Sequence, residues 1–396
     1  MARDAAASII AEKSEDYIEG RSSVVIPWFP VALTAMVAYA LLIALFVAAY
    51  KNDVSALACI NPSHVGTFPF ETAGIGLGTA NGYDGQFYYA VARDPWRIHG
   101  PNEIDLPARH VRILYPALAW LVSRGDPTAL FWALPLVNIL ALGGLAGLGA
   151  LLARSRGLSS WWGLLLPEAV CGGLTLLRDL TDLVSSLTIS VMLVARLRNW
   201  NPMVLVIAAG GALFSREQNI FVVSAFLFVS LWERNWRTAL GLAAVLILWG
   251  SWVLILKLEY EAWPILPSQG NLSQPFEGLR YACTHLGNTR DEIRMNLFCL
   301  LSLAGQVGLL AYLLRQRCDP ALVLVGLTGL LLVCTAGESV YLSWWAYMRV
   351  QAWLPLALWL GFAGAGCRWP LFILALPGIL PFYHTVQVLR HAGMLH

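Results

Sequence analysis

The chain has 396 residues, of which 58% are hydrophobic and only 13% are charged, and its formal net charge is +2. Soluble domains usually carry about a quarter charged residues, so this composition argues against an ordinary soluble protein. The chain has no basic stripe and no nucleic-acid-binding motif, which excludes a nucleic-acid partner. Its seven cysteines include no CxxC pair, so a zinc site is not expected.

The first residues predict a cytoplasmic tail over 1–25. They are mixed polar and charged, and the apolar block that follows is too long for the core of a signal peptide. From residue 26 onwards, apolar runs of transmembrane length recur, which predicts one polytopic all-α membrane domain over 26–396 with about eleven transmembrane helices. The spans are expected at 26–50, 128–153, 158–176, 180–196, 201–215, 219–233, 238–257, 295–314, 321–336, 350–366 and 370–389.

Short arginine-bearing connections follow every second span and predict how the chain is oriented across the membrane. They are "ARSRG" at 153–157, "ARLRNW" at 195–200, "ERNWR" at 233–237, "RQRCD" at 315–319 and "CRW" at 367–369. The positive-inside rule makes these basic connections cytoplasmic. Two long loops, 51–127 and 258–294, then lie on the outer face. They contain Cys59 and Cys283, which an oxidising compartment would allow to form a disulfide.

The first outer loop contains the stretch "NGYDGQFYYAVARDP" at 81–95. A carboxylate such as Asp84 suits the first turn of a helix, where it meets free amides and the positive end of the dipole. Apolar residues three and four positions apart then share one face, and the Asp-Pro step at Asp94 ends the helix. We expect a short amphipathic helix on the bilayer surface, with Gly85 leaving room for a ligand near the backbone. The alternative is a loop helix with a capping aspartate.

Four further charged groups fall on the same predicted face. They are Arg109, His110 and Arg112; Arg178, Asp179 and Asp182; Arg216 and Glu217; and Glu338 and Arg349. Arginines at an interface can simply reach lipid headgroups, and acids can cap tight turns, but charges so near a membrane are costly unless paired or used. We expect Asp179 and Asp182 on one face at a helix N-terminus, and all these groups in one outer cleft.

A carboxylate beside several arginines suits the transfer of a group from a phosphorylated lipid to a hydroxyl. The carboxylate would deprotonate the acceptor, and the arginines would stabilise the phosphate as it leaves. The glycine-rich stretch "GIGLG" at 74–78 follows no strand, so it does not predict a nucleotide site. A lipid-linked donor therefore fits better than a soluble sugar nucleotide.

The segments "GYDGQFYYAVARDPW", "RILYPALAW", "LLRDLTD" and "SREQN" carry a family resemblance. They resemble the GT-C class of integral-membrane glycosyltransferases, with a first motif similar to "WDG..Y..IA" of the mannosyltransferase branch. They also resemble bacterial polytopic proteins associated with cell-surface glycopolymer formation. The resemblance spans about residues 25–365 in order. It implies a GT-C fold, a polyprenyl-phosphate-sugar donor, inversion at the anomeric carbon and Asp84 as the catalytic base.

The chain also departs from this class. It lacks the large C-terminal soluble domain of many relatives, and it has a lone aspartate where some have an acidic pair. Some members use a divalent metal such as Mg²⁺ or Mn²⁺, so the metal requirement and the acceptor, a cell-surface glycan or a lipid, stay open. We expect an integral protein of a bacterial inner membrane, with the site facing the periplasm or the exterior. In a eukaryote, the equivalent compartment is the lumen of the endoplasmic reticulum.

The candidate site follows from these patterns. Asp84 is the expected general base. The residues expected to bind the donor phosphate are Arg112, Arg178, Arg216 and Arg349. Tyr83, Gln86 and Tyr88 are expected to contact substrate. The acidic residues expected to contact sugar hydroxyls, to hold a metal or to fix the arginines are Asp179, Asp182, Glu217 and Glu338.

Other functions stay open on the sequence alone. A transporter or lipid flippase would place charge near the bilayer midplane, where Glu168 is the candidate, but no inverted repeat is evident. A non-catalytic component of a polysaccharide assembly complex would tolerate the loss of Asp84. An acyltransferase would use a histidine base, for which His99 and His110 lie in the first outer loop without a supporting motif. A phosphotransferase is the remaining alternative.

Overall fold

The computed structural model describes residues 28–70, 82–97, 107–265, 271–316, 318–342 and 344–394. The predicted tail at 1–25, the glycine-rich stretch at 74–78 and His99 therefore lie outside the described residues. Within the described ranges the chain is helical and has no β-strand, only one isolated bridge between Leu272 and Ala336. The prediction of an all-α protein is confirmed for this part of the chain.

Nineteen α-helices form in the described ranges. The first ten are α1 (Trp28–Ala48), α2 (Asp84–Arg93), α3 (Pro107–His110), α4 (Leu114–Ser123), α5 (Pro127–Ser155), α6 (Leu165–Ala169), α7 (Gly172–Leu176), α8 (Asp182–Leu197), α9 (Pro202–Ser215) and α10 (Ile220–Trp232). The others are α11 (Trp236–Tyr260), α12 (Glu277–Thr284), α13 (Arg290–Leu314), α14 (Pro320–Thr335), α15 (Glu338–Tyr341), α16 (Trp344–Val350), α17 (Trp353–Gly364), α18 (Arg368–Ala375) and α19 (Ile379–His391).

Five helical segments are long and apolar enough to cross a membrane. They are α1, α5, α11, α13 and the segment Arg368–His391, which comprises α18 and α19. Leucine and isoleucine side chains on α11, such as Leu240 and Ile247, are about 70% exposed; such a surface is unfavourable in water and suits lipid. Five further apolar helices are 10–17 residues long. These helices are compatible with a membrane protein, whereas the count of eleven spans stays a prediction.

Two of the expected spans are broken rather than continuous. The span expected at 158–176 consists of a 3₁₀ turn at Ser160–Leu164 followed by α6 and α7. The span expected at 370–389 is interrupted by a 3₁₀ turn at Leu376–Gly378. Proline and glycine sit at both breaks, and they interrupt helical hydrogen bonding. The breaks face each other, since a Cβ at Gly378 would overlap the carboxyl of Glu168. Glu168 accepts a hydrogen bond of 2.8 Å from the Tyr39 hydroxyl.

Four of the five basic connections lie together at one end of the bundle. Arg196 donates hydrogen bonds to Glu233 and to Asp319, both at 2.7 Å, which joins the second, third and fourth connections. Arg198 donates to the carbonyl of Leu151 at 3.3 Å, next to the start of the first connection. Helices α8, α9 and α10 each reach one of these connections with one end, so their other ends lie about 20–24 Å away at the opposite end of the bundle.

Helix α2 forms where the sequence predicts it, but it is packed inside the protein. Seven of its ten residues are buried. The Tyr89 ring stacks on Phe131 of α5 with centroids 4.1 Å apart, and its hydroxyl donates to the carbonyl of Pro127 at 3.0 Å. The expectation of a helix on the bilayer surface is therefore wrong, because large aromatic side chains on more than one side of α2 are buried against neighbouring helices.

The second outer loop is tied to the end of α14. The Phe276 amide donates to the carbonyl of Cys334 at 2.6 Å, and helix α12 follows directly. All seven cysteines are free thiols, and Cys59 is buried while Cys283 is exposed. The disulfide considered from the sequence is therefore absent.

Gly85 is needed for close backbone packing, not for ligand access as the sequence suggested. A Cβ at this position would lie 2.5 Å from the carbonyl oxygen of Arg178 and 2.8 Å from that of Ala58. Both distances are far below van der Waals contact, and the obstructing atoms belong to the backbone. Glycine thus allows the start of α2 to touch the turn that carries Arg178.

We expect Gly85→Ala to lower the stability of the protein by about 1–3 kcal/mol, because overpacking against backbone atoms forces a shift. The matched control is Gly250→Ala in α11, where a Cβ would meet no atom within 4 Å. Gly250→Ala should leave the stability of the protein unchanged or raise it slightly. Thermal unfolding of both variants in detergent checks the difference, and equal melting temperatures would contradict the packing role.

Candidate functional site

Charged side chains from five separate stretches of the sequence meet at the end of the bundle opposite the basic connections. We call this group the polar cluster. Its members are Tyr83, Asp84, Tyr88, Arg109, Arg112, Arg178, Asp179, Asp182, Arg216, Glu217 and Arg349. The structure therefore brings together most of the residues that the sequence selected, from segments up to 266 positions apart.

Asp182 lies at the centre of the polar cluster and is shared by two arginines. One carboxylate oxygen accepts from Arg216, and the other accepts from Arg349 at 2.7 Å. All three side chains are buried. Asp182 occupies the first turn of α8, where the helix dipole favours a negative charge. A buried carboxylate needs cationic partners, but two guanidinium groups on one carboxylate leave a net charge of +1.

Arg349 also connects this centre to the first outer loop. Its Nη2 donates to the hydroxyl of Tyr83 at 3.0 Å, and its guanidinium carbon lies 5.7 Å from the centre of the Tyr83 ring. Burial raises the pKa of Tyr83 to about 12, although the Arg349 guanidinium opposes this effect. The phenol therefore stays neutral near pH 7. Tyr83 is next to Asp84 in the chain, so this contact positions the head of α2.

Arg112 and Glu217 form a two-point ion pair. Nε of Arg112 donates to Oε2 of Glu217 at 2.7 Å, and Nη2 donates to Oε1. The remaining amino group, Nη1, donates to the Tyr88 hydroxyl at 2.8 Å. Each nitrogen of the guanidinium thus already has a partner in the protein. Arg112, expected from the sequence to bind phosphate, is engaged with Glu217 and Tyr88 instead.

Asp84 differs from the other ion-paired carboxylates of the polar cluster because one of its two oxygens has no partner in the described structure. Its Oδ1 accepts from Nη2 of Arg109 at 2.7 Å, and its Oδ2 has no hydrogen-bond partner among the described residues. The Asp84 side chain is 21% exposed, close to the 19% of Glu217, whereas Asp182 is 6% exposed. Asp182 and Glu217, in contrast, use both oxygens in ion pairs. Within the polar cluster, only Asp84 offers an accessible oxygen without a partner.

Asp179 is fully buried, and neither of its carboxylate oxygens has a hydrogen-bond partner within the described ranges. It precedes α8 in a left-handed backbone conformation with φ of 46°. The sequence predicted Asp179 and Asp182 on one helix face. This prediction is wrong, because α8 begins only at Asp182. Burial raises the pKa of Asp179 well above its usual range, which favours the protonated, neutral form.

Arg178 is paired with a histidine that the sequence analysis missed. Its Nη2 lies 3.2 Å from Nε2 of His384. Arginine can only donate, so Nε2 accepts and the imidazole is neutral in this contact. Among the described residues, no carboxylate forms an ion pair with Arg178. His384 lies within an apolar segment near the chain end, where the sequence contains no motif to select it.

The polar cluster contains more positive than negative charge. It has five guanidinium groups, whereas three carboxylates form ion pairs with them. In addition, the buried Nε–H groups of Arg109, Arg216 and Arg349 lack a hydrogen-bond partner in the described structure. Buried donors without acceptors are costly, and a bound anion would satisfy them. The arrangement therefore suits an anionic ligand, with Asp84 at its accessible edge.

Gln86 and Glu338, which the sequence predicts to contact substrate, do not belong to the polar cluster. Gln86 is buried, and its Oε1 accepts from the Asn61 amide at 3.0 Å, so it holds the preceding loop. Glu338 is exposed and forms no ion pair with a described residue. In the described part of the chain, no group of three His, Cys, Asp or Glu side chains lies close enough to hold a metal ion.

We expect Asp182→Ala to lower stability by about 3–5 kcal/mol, because it leaves two buried guanidinium groups without their shared counter-charge. The control is Glu338→Ala, an exposed carboxylate at the same end of the bundle, which should change stability by less than about 0.5 kcal/mol. Thermal unfolding in detergent gives the comparison. Wild-type stability of Asp182→Ala would mean that the two arginines do not depend on this carboxylate.

Searches against protein-family models, curated proteins and solved structures find no match to this chain. The function must therefore be inferred from the chemistry of the polar cluster and from its place in the bundle. The two features that matter most are the accessible oxygen of Asp84 and the surplus of guanidinium groups beside it.

Proposed function

We propose that the protein is a membrane glycosyltransferase of the GT-C class. It would transfer a sugar from a polyprenyl-phosphate-linked donor to a hydroxyl of a cell-surface glycan or lipid. The observation that carries this proposal is the position of Asp84, whose unpartnered Oδ2 lies in the same cluster as a surplus of arginines. A base and an anion-binding surface are the two groups that this reaction needs.

Asp84 would act as the general base. Arg109 holds one oxygen of its carboxylate at 2.7 Å, which orients the other oxygen towards an incoming hydroxyl. The hydroxyl proton passes to Oδ2 while the hydroxyl oxygen forms a bond to the anomeric carbon. The bond from that carbon to the phosphate oxygen breaks at the same time. Attack opposite the leaving group inverts the anomeric carbon, and the proton on Asp84 later returns to solvent.

The arginines would stabilise the leaving group. The donor phosphodiester carries one negative charge, and the polyprenyl phosphate that leaves carries an additional one. Arg178 has no carboxylate partner among the described residues, and Arg216 and Arg349 share a single carboxylate. These three guanidinium groups therefore have positive charge to offer. Charge-assisted hydrogen bonds to phosphate are among the strongest in proteins, and they strengthen as the charge develops.

An apolar cavity of 420 Å³ near the polar cluster suits the lipid part of the donor. It lies between α1 and α5 and is lined by side chains such as Ile43, Val47, Trp132 and Ile139. Val47 is close to the end of α1 that leads into the first outer loop. An isoprenoid chain in this cavity would remain in contact with lipid while its phosphate reaches the arginines. We place this end of the bundle on the outer side because the basic connections lie at the other end.

A transporter or lipid flippase is favoured by one observation, the carboxyl of Glu168 between two broken helices. Its Oε1 accepts from Tyr39, and its buried Oε2 has no partner among the described residues. Polar groups at discontinuous helices are typical of transport sites. A flippase would move the donor lipid intact, whereas a transferase releases a new glycoside, so an assay of glycoside formation separates the two functions.

We expect Asp84→Asn to lower kcat by about 10²–10⁴-fold, the usual contribution of a general base. The measurement uses the full chain in nanodiscs with radiolabelled polyprenyl-phosphate sugars and follows glycoside formation. The control is Glu261→Gln, which neutralises an exposed carboxylate just after α11 and should retain wild-type turnover. Equal turnover in Asp84→Asn and wild type would remove Asp84 as the base.

Two arginine variants should separate phosphate binding from structural pairing. Arg178→Gln should lower kcat/KM for the donor by about 10–100-fold, the range for one lost charged hydrogen bond, with little change in melting temperature. Arg112→Gln should lower the melting temperature, because it leaves the half-buried Glu217 without its partner and removes the bond of the buried Arg112 to Tyr88. Steady-state kinetics and thermal unfolding of both variants test this contrast. A large loss of stability in Arg178→Gln with unchanged kinetics would contradict its role.

A further inference from the structure

A second recessed surface lies beside the polar cluster and is not used by the chemistry described above. This outer groove has a volume of 470 Å³ and lies between α12, the start of α13 and α16. Its lining includes the aromatic rings of Tyr281, His285 and Trp344 together with the polar side chains of Asn288 and Glu292. All residues that line it belong to the described part of the chain.

Hydrogen bonds and ring stacking order the walls of the outer groove. The rings of Tyr281 and His285 are stacked, with centroids 4.1 Å apart and planes 11° from parallel. Glu292 accepts from the Asn288 amide at 2.8 Å and forms a capping box at the start of α13. Asn296 donates to the carbonyl of Leu286 at 2.6 Å, which holds the turn between α12 and α13. Contacts within the protein therefore hold the walls of the outer groove in place.

The chemistry of this lining selects a neutral, hydroxyl-rich ligand. Aromatic ring faces are electron-rich and attract the polarised C–H groups on the apolar face of a sugar ring. A carboxylate accepts hydrogen bonds from sugar hydroxyls, and an amide side chain both accepts and donates them. The lining residues include one carboxylate, Glu292, and no lysine or arginine. A phosphate or another anion would therefore be repelled, in contrast to the polar cluster.

One short helix connects the outer groove to the polar cluster. Trp344 opens α16 and lines the groove, and Arg349 lies in the last turn of the same helix. Five residues of helix correspond to a rise of about 7.5 Å. Between them, the Tyr347 hydroxyl donates to the backbone carbonyl of Asn296 at 3.3 Å, which fixes α16 against α13. One or two sugar units would therefore span the distance from a ligand in the outer groove to the polar cluster.

We propose that the outer groove binds a neutral sugar unit of the acceptor, so that the acceptor is a glycan. The acceptor role rests on the proposed transferase function, whereas the sugar-binding property of the groove does not depend on it. The bound unit would stack on the aromatic rings and hydrogen-bond Glu292 and Asn288. The next unit of the glycan would then extend along α16 towards Asp84.

The test measures the binding of methyl glycosides of mannose, glucose, galactose and arabinose to the full chain in nanodiscs by saturation-transfer NMR. We expect saturable binding of at least one glycoside to the wild type. Trp344→Ala should weaken this binding at least tenfold. Thr284→Trp should do the same, because Thr284 is an exposed residue of the lining and a large side chain there fills the groove.

Two further variants make the test specific. Glu292→Gln keeps the capping hydrogen bonds, since glutamine serves in a capping box, and should weaken glycoside binding several-fold without lowering the melting temperature. Asp84→Asn should bind glycosides like the wild type. Unchanged binding in Thr284→Trp, or no binding of any glycoside to the wild type, would overturn the proposal.

The outcomes also distinguish the two proposals from each other. If transfer depends on Asp84 but no glycoside binds, the outer groove is not a sugar site, and the transferase function stands. If glycosides bind and Thr284→Trp prevents it while Asp84→Asn retains full transfer, the groove stands, and the proposed role of Asp84 fails.

Discussion

The pairing of the Asp182 carboxylate with two arginines holds together the end of the bundle that contains the polar cluster. It joins α8 to Arg216 after α9 and to Arg349 on α16, and Arg349 in turn contacts Tyr83 in the first outer loop. Charges buried this deeply are tolerated only when they are paired. Elements far apart in the sequence must therefore assemble together, and the position of α2 follows from that assembly.

The polar cluster separates residues that support structure from residues that are available for chemistry. Arg112 and Glu217 saturate each other, and Asp182 is enclosed by its two arginines. Asp84 lies at the accessible edge with one oxygen oriented by Arg109. The surplus of guanidinium groups is costly without a ligand. An anion that binds during function would offset the free-energy cost of these surplus guanidinium groups.

Most charged groups of the bundle lie at its two ends, and Glu168 between the two broken helices is an exception. Apolar helices cannot carry unpaired charge through lipid without a large penalty, so the basic connections and the polar cluster lie at opposite ends of α8, α9 and α10. This separation leaves the cationic polar cluster beside the outer groove, whose lining has one carboxylate and no lysine or arginine, with α16 between them. A charged carrier and an uncharged acceptor would thus meet on adjacent surfaces of different chemistry.

Local sequence is enough to specify the helical class, the bounds of α2 from Asp84 to the residue before Asp94, and the position of most charges at the ends of apolar segments. These properties depend on local hydrogen bonding and on hydropathy, which neighbouring residues specify. The packing of the helices against one another sets the pairing of arginines with carboxylates, the burial of α2, the packing role of Gly85, the contact of Arg178 with His384, and the outer groove. Each of these depends on contacts between segments distant in the chain, because ion pairing and close packing are set by the approach of whole helices.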